Sequence, residues 1–166
     1  MHGGVLTVIA PAPVVNGTRP QTRYSYSLLN GEYQLTGTST CVSGAAPACL
    51  STADEVKSSL GYDARGNVST ASTQNGTGTL VAATAMTYDA MGNLLTVDGP
   101  LSGTADTIRY RYDAARRRIG TVSADPDGAG ALLPRAERMV LRDDGTPLRI
   151  ETGTPCRSPT MRWGGS

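Results

Sequence analysis

"TYDAMGNLLTVDG", Thr87–Gly99, places an aromatic and a carboxylate, Tyr88 and Asp89, three residues ahead of a Gly-Asn pair, Gly92 and Asn93. A polar cluster of this kind can hold a sugar or a cation, or do acid-base chemistry. It can equally be a strand entering a tight turn. The rest of the chain decides between the two, because the cluster recurs. "LGYDARGNVSTAS" begins at Leu60, "MTYDAMGNLLTVD" at Met86, "YRYDAARRRIGTV" at Tyr110 and "MVLRDDGTPLRIE" at Met139. A looser copy, "YSYSLLNGEYQLT", begins at Tyr24. Each has a large apolar or aromatic residue, one spacer, then Tyr or Leu. The steps from Tyr62 to Tyr88, Tyr112 and Leu141 are twenty-six, twenty-four and twenty-nine residues. Repetition at a quasi-regular period is read before any other signal, because it dictates the architecture.

Local physics gives each copy the same shape. Apolar-x-Tyr is a period of two, so both large side chains face one side of a strand. The Asp after Tyr accepts backbone N–H groups in a turn. Gly supplies the positive φ that a tight turn needs, and Asn tolerates the same region. Second strands are expected at Val68–Ser72, Leu94–Val97, Ile119–Val122 and Leu148–Ile150. The linking segments "TQNGTGT", "DGPLSGTAD" and "DPDGAGA" are rich in turn residues. One hairpin alone is marginal in water, so successive hairpins are expected to pair edge to edge. The predicted fold is all-β: consecutive antiparallel hairpins in one curved open sheet. It comprises an irregular lead-in over 1–21, a repeat region over 22–151 and a divergent, disordered tail over 152–166.

The repeated motifs resemble the YD repeat of RHS (rearrangement hotspot) proteins, whose pattern is Tyr-Asp-x-x-Gly, then Asn or Arg, then an apolar residue. Tyr62, Asp63, Gly66, Asn67 and Val68 match it, as do Tyr88, Asp89, Gly92, Asn93 and Leu94. Tyr112, Asp113, Arg117 and Ile119 match in part, with Arg116 in the glycine place and Tyr110 as the aromatic two residues before Tyr112. Around Leu141 only Gly145 and the apolar pattern survive. The resemblance implies a strip of a β-shell wall. In bacterial toxins such a shell encloses a C-terminal effector, and in animal teneurins it belongs to a cell-adhesion ectodomain. It further implies a non-catalytic structural segment whose partners are the rest of the shell or an enclosed effector. Its setting would be secreted or at the cell surface, as part of a larger protein. The family's end-of-shell aspartates have no match: "DPDG" at Asp125–Gly128 lies between repeats and reads as a turn.

Composition agrees with a strand-rich scaffold and narrows the chemistry. The 166 residues include 20 Gly, 10 Pro and no Phe, and 39% are hydrophobic, which leaves a thin core of Val, Leu, Ile, Tyr and Ala. A net charge of +1 gives no global field toward nucleic acid or an anionic membrane. No stretch approaches the roughly 20 apolar residues of a spanning helix, and "MHGGVLTVIAPAPVV" lacks the basic start of a signal peptide. Cys41 and Cys49 flank "VSGAAPA", a spacing that suits either a small disulfide or two reduced thiols in a loop; Cys156 has no evident partner. Three cysteines and His2 make no four-ligand metal spacing, and no cofactor is expected.

His2 is the sole histidine, so a Ser-His-Asp or Cys-His arrangement within the fold is not expected. Asp63, Asp89 and Asp113 recur at equivalent places, which favours turn capping over a glycosidase pair. "DPDG" and "RDDG" lack the further ligands of a twelve-residue calcium loop, and Gly76–Gly78 precedes no helix pattern that would make it a phosphate loop. The alternative to a purely structural role is a carbohydrate- or protein-binding surface. Its candidate anion or glycan contacts are Arg109, Arg111 and Arg117. Arg109 and Arg111 alternate with Tyr110 and Tyr112 and so share the opposite strand face. An open strip also leaves unpaired sheet edges, so self-association is expected.

Overall fold

A computed structural model describes residues 4–128 and 130–154. Cys156, Trp163, His2 and most of the expected tail lie outside the described residues. Among those described there are eleven strands and no helix. They are β1 (Thr7–Ile9), β2 (Gln21–Leu29), β3 (Glu32–Cys41), β4 (Glu55–Tyr62), β5 (Val68–Asn75), β6 (Val81–Tyr88), β7 (Leu94–Asp98), β8 (Ile108–Tyr112), β9 (Arg118–Val122), β10 (Ala136–Leu141) and β11 (Pro147–Gly153). They form one open antiparallel sheet in chain order, so every connection is a return to the adjacent strand. The chain divides into two compact units, 1–84 and 85–166.

The differences from expectation are local. The lead-in is not wholly irregular: "TVI" at Thr7–Ile9 pairs antiparallel with Gln21–Arg23, because three consecutive β-branched residues suit a pleated edge. Residues 152 and 153 belong to β11 rather than to a tail. The looser copy at Tyr24 has a register shift at the corresponding place, between Ser25 and Tyr26, but turns differently. Its strand continues to Leu29, and Asn30 and Gly31 alone make the turn, with φ of 51° and 86° and Leu29 opposite Glu32. Positive φ at both central residues is the two-residue hairpin turn that Asn-Gly favours.

The other four hairpins repeat one geometry. The backbone N–H of Asp63 donates to Asn67 O (2.8 Å), Asp89 to Asn93 O (3.0 Å), Asp113 to Arg117 O (3.0 Å) and Arg142 to Thr146 O (2.9 Å). Within each turn the fourth residue donates back to the first: Gly66 to Asp63, Gly92 to Asp89, Arg116 to Asp113 and Gly145 to Arg142. A one-residue register shift follows at the same place each time, between Gly61 and Tyr62, Thr87 and Tyr88, Arg111 and Tyr112, and Val140 and Leu141. Such a bulge increases local twist and re-aims the flanking side chains.

Gly66 sits at φ 87°, and a Cβ built there meets nothing within 4 Å. Its requirement is therefore conformational and not steric. Arg116 occupies the same place at φ 64° and is held by its side chain: Nε donates to Asn93 Oδ1 (3.1 Å) and a terminal nitrogen to Met91 O (2.9 Å). Gly66→Val is expected to lose about 1–2 kcal/mol by forcing a β-branched residue into the left-handed region. Arg116→Gly is expected to be close to neutral, since relief of strain offsets the lost bonds. Urea denaturation of both variants measures the contrast; equal losses would refute the shared turn.

Packing is thin. Among the described residues the buried apolar side chains are Cys41, Cys49, Val122 and Ala136, while Val8, Ile9, Leu148 and Ile150 on the outermost strands are about half exposed or more. In the first unit a Cys41–Cys49 disulfide closes an eight-residue separation, so the cysteine pair is bonded. Beneath that loop lies Glu55, 1% exposed.

Candidate functional site

The recurring Tyr-Asp-x-x-Gly-Asn residues sit where the turn needs them. Asp63 Oδ1 accepts the N–H groups of Arg65 (2.8 Å) and Asn67 (2.9 Å), and Oδ2 accepts Asn67 Nδ2 (2.9 Å). Asp89 repeats this with Met91 and Asn93 at 2.8, 2.9 and 2.8 Å. Asp113 uses Arg117, whose N–H (2.9 Å) and Nε (2.7 Å) take the two roles of asparagine. These bonds hold all three carboxyls below the ordinary range: at Asp63 and Asp89 chiefly the Asn67 and Asn93 side-chain amides, at Asp113 chiefly the Arg117 N–H. A carboxylate kept ionised by its own turn is a cap; it is poorly suited to general-acid chemistry, which needs a raised pKa.

Tyr62, Tyr88, Tyr110 and Tyr112 are half-buried. Tyr62 Oη donates to Leu35 O at 2.6 Å, tying its hairpin to β3. The Arg118 guanidinium lies 5.7 Å from the Tyr110 ring centroid, so this arginine covers an aromatic face.

Of the three candidate anion contacts, Arg117 is engaged by Asp113 in an ion pair at 2.7 Å. Arg109 and Arg111 are exposed on the alternate face, as the period-two pattern requires, and neither has an ion pair among the described residues. Sequence reasoning missed Arg138. Registers place Arg111 opposite Gly120, and Gly120 opposite Arg138, in one row across β8, β9 and β10. With no side chain at Gly120, the Arg111 stem lies over it: a Cβ there would sit 3.4 Å from Arg111 Cβ. An open groove of about 470 Å³ is lined here by Arg111, Tyr112, Asp113, Gly120, Arg138 and Leu95, among others. Arg138 is in turn 3.7 Å from Glu151. Arg138 was hidden because its partnership spans strands far apart in the chain.

Glu55 was also missed. Its carboxylate accepts Ser39 Oγ (2.5 Å) and the Ser51 N–H (2.6 Å), with Lys57 Nζ 3.4 Å away. Burial opposes its charge, but Ser39, Ser51 and Lys57 together outweigh that and hold the carboxyl below its ordinary value. Asp54 caps the same loop, chiefly through the Ser43 hydroxyl, and is lowered likewise. Groups with depressed folded values contribute stability above their unfolded pKa, and that stability is lost as pH falls through the folded value. Thermal stability is therefore expected to decline progressively below about pH 5, with a shallower decline in Glu55→Gln. A midpoint constant down to pH 3 would contradict these bonds.

No group of three or more His, Cys, Asp or Glu side chains able to hold a metal occurs among the described residues, and no helix among them is long and apolar enough to cross a membrane. No protein-family model matches the chain, and no curated protein matches it.

Proposed function

We propose that the chain is a non-catalytic structural repeat segment of the RHS/YD-repeat kind. It contributes strands to the wall of a β-shell that encloses a toxin or other effector. The observation that carries this reading is the four-fold recurrence of one hairpin, with the same turn bonds and the same bulge, in an open sheet ordered as the chain runs. A polar cluster repeated for turn formation is explained by folding alone. The Cys41–Cys49 bond supports a setting outside the reducing cytosol, secreted or at a cell surface.

A wall strip has neighbours on both sides, and β1 and β11 present the corresponding edges. With Ile9, Leu148 and Ile150 exposed there, the isolated chain is expected to self-associate through unpaired strands. Sedimentation or light scattering across a concentration series should show growing mass. Replacing Leu148 and Ile150 by Lys should reduce it, since charge on an edge strand opposes pairing. A monomer at every concentration would contradict the wall reading.

A second reading is a binding surface, favoured by Arg109 and Arg111, which are exposed and have no ion pair among the described residues.

A further inference from the structure

The two units carry the same three-strand motif, with one consequential exchange. In the first, registers across β2, β3 and β4 place Arg23, Ser39 and Lys57 in one row, with Cys41 opposite Glu55 in the next row on the same face. In the second, β8, β9 and β10 place Arg111, Gly120 and Arg138 in one row and Arg109, Val122 and Ala136 in the next. The correspondence extends to the chain between strands. Fourteen positions separate Cys41 from Glu55 and fourteen separate Val122 from Ala136. Each return begins with the same bond, Val42 N–H to Asp54 O (2.9 Å) and Ser123 N–H to Arg135 O (2.8 Å). Cys41 and Glu55 are each 1% exposed, and Val122 and Ala136 are 4% and 1% exposed.

Each motif also carries an open groove at matching residues. In the first unit Arg23, Tyr24, Ser25, Ser39 and Lys57 line it; in the second Arg111, Tyr112, Asp113, Gly120 and Arg138 take those places. The first groove is served by a carboxylate of its own chain, Glu55, which binds Ser39 and Lys57. In the second, alanine stands where Glu55 would be, Arg111 keeps the place of Arg23, Arg138 replaces Lys57, and Arg109 adds a third cation. The nearby carboxylates are already engaged: Asp113 by its own turn and Arg117, Asp89 by its own turn, and Glu151 by Arg149 at 2.6 Å as well as by Arg138. Arginine suits such a place because its planar fork binds a carboxylate through two parallel bonds.

We propose that the groove of the second unit binds a carboxylate from an external small molecule, between Arg111 and Arg138, whereas in the first unit Glu55 of the chain itself meets Lys57, the counterpart of Arg138. The proposal gives the binding reading a ligand class and rests on it; the wall reading stands or falls separately, by self-association.

The test is a titration of the whole chain with succinate and with glucuronate, followed by the arginine Nε–H resonances. Saturable shifts of Arg111 and Arg138 are expected. Arg111→Gln and Arg138→Gln should each weaken binding about tenfold, as loss of a charge-assisted pair would. Tighter glucuronate than succinate identifies a sugar acid as the source, and the reverse a plain acid. Ala136→Glu should restore the internal carboxylate and abolish binding, with folding checked by circular dichroism; if that variant does not fold, the two arginine variants decide. Shifts that rise linearly without saturation, binding unchanged in Arg111→Gln, or inorganic phosphate preferred over both carboxylates would overturn the proposal.

Discussion

Glu55→Ala is expected to be among the most destabilising single substitutions in the chain, costing about 2–3 kcal/mol, because it removes a buried carboxylate and the charge-assisted hydrogen bonds it accepts. The Glu55 carboxylate meets the Ser39 hydroxyl on β3, the Ser51 N–H just beyond the disulfide loop and the Lys57 ammonium on β4. Its backbone takes part as well, since Gly76 N–H donates to Glu55 O at 2.7 Å. Ser51 stands at φ 60°, a costly conformation for a residue with a Cβ, and its bond to Glu55 helps to hold it there. Removing the carboxylate therefore releases the segment at Ser51 as well as unpairing the cluster. Urea denaturation followed by far-ultraviolet circular dichroism measures the loss. Glu55→Gln should lose less, because the amide oxygen still accepts one bond. Equal stability of Glu55→Ala and the parent would show that the cluster holds nothing together.

Removing the Cys41–Cys49 bond is the second large effect. For a loop of this length, chain-entropy reasoning gives about 2–3 kcal/mol, with the mechanism dependent on the model used for the unfolded state. Cys41 is the cross-strand partner of Glu55, so the two perturbations act on one structural element. Their effects are expected to be non-additive, as is usual for residues in contact. Cys41→Ala/Cys49→Ala combined with Glu55→Ala should lose measurably less than the sum of the separate losses. The corresponding return of the second unit, between Val122 and Ala136, carries no such bond, so reductant should lower the stability of the first unit alone. Segment-resolved hydrogen exchange with and without reductant reads this directly; loss of protection confined to β8–β10 would contradict it.

Legibility in the sequence followed the range of the interactions. The Asp-x-x-Gly-Asn turns were readable because every bond that makes them lies within four residues, as at Asp63 and Asn67. The degenerate copy at Tyr112 was partly readable. Its Arg116 departs from glycine, yet the side chain that secures it reaches Met91 and Asn93 on another hairpin. The copy at Tyr24 was aligned correctly at its register shift, between Ser25 and Tyr26, but not at its turn, because Tyr-x-Tyr alternation says where a strand lies and not where it ends. The Asn-Gly dipeptide that ends it was four residues farther on. Arg138, Glu55 and the groove pattern depend on register across three strands. The spacing of fourteen residues in the two returns is visible in the chain, but becomes meaningful only once Cys41 is seen opposite Glu55 and Val122 opposite Ala136. The disulfide was one of two open alternatives because loop spacing permits a bond without requiring it.

One hairpin is built four times, and in three of the four the Tyr-Asp cluster is its turn. Amide hydrogen exchange at single-residue resolution tests this most directly. The N–H groups of Asp63, Asp89, Asp113 and Arg142 each close the turn by donating to the residue four places on, whereas Ala64, Ala90, Ala114 and Asp143 occupy the next position in each turn. The expected result is a matched pattern, with the first set protected relative to the second in all four hairpins. Protection at Asp89 alone, with the other three exchanging freely, would contradict the repeat and return "TYDAMGNLLTVDG" to the status of a singular site.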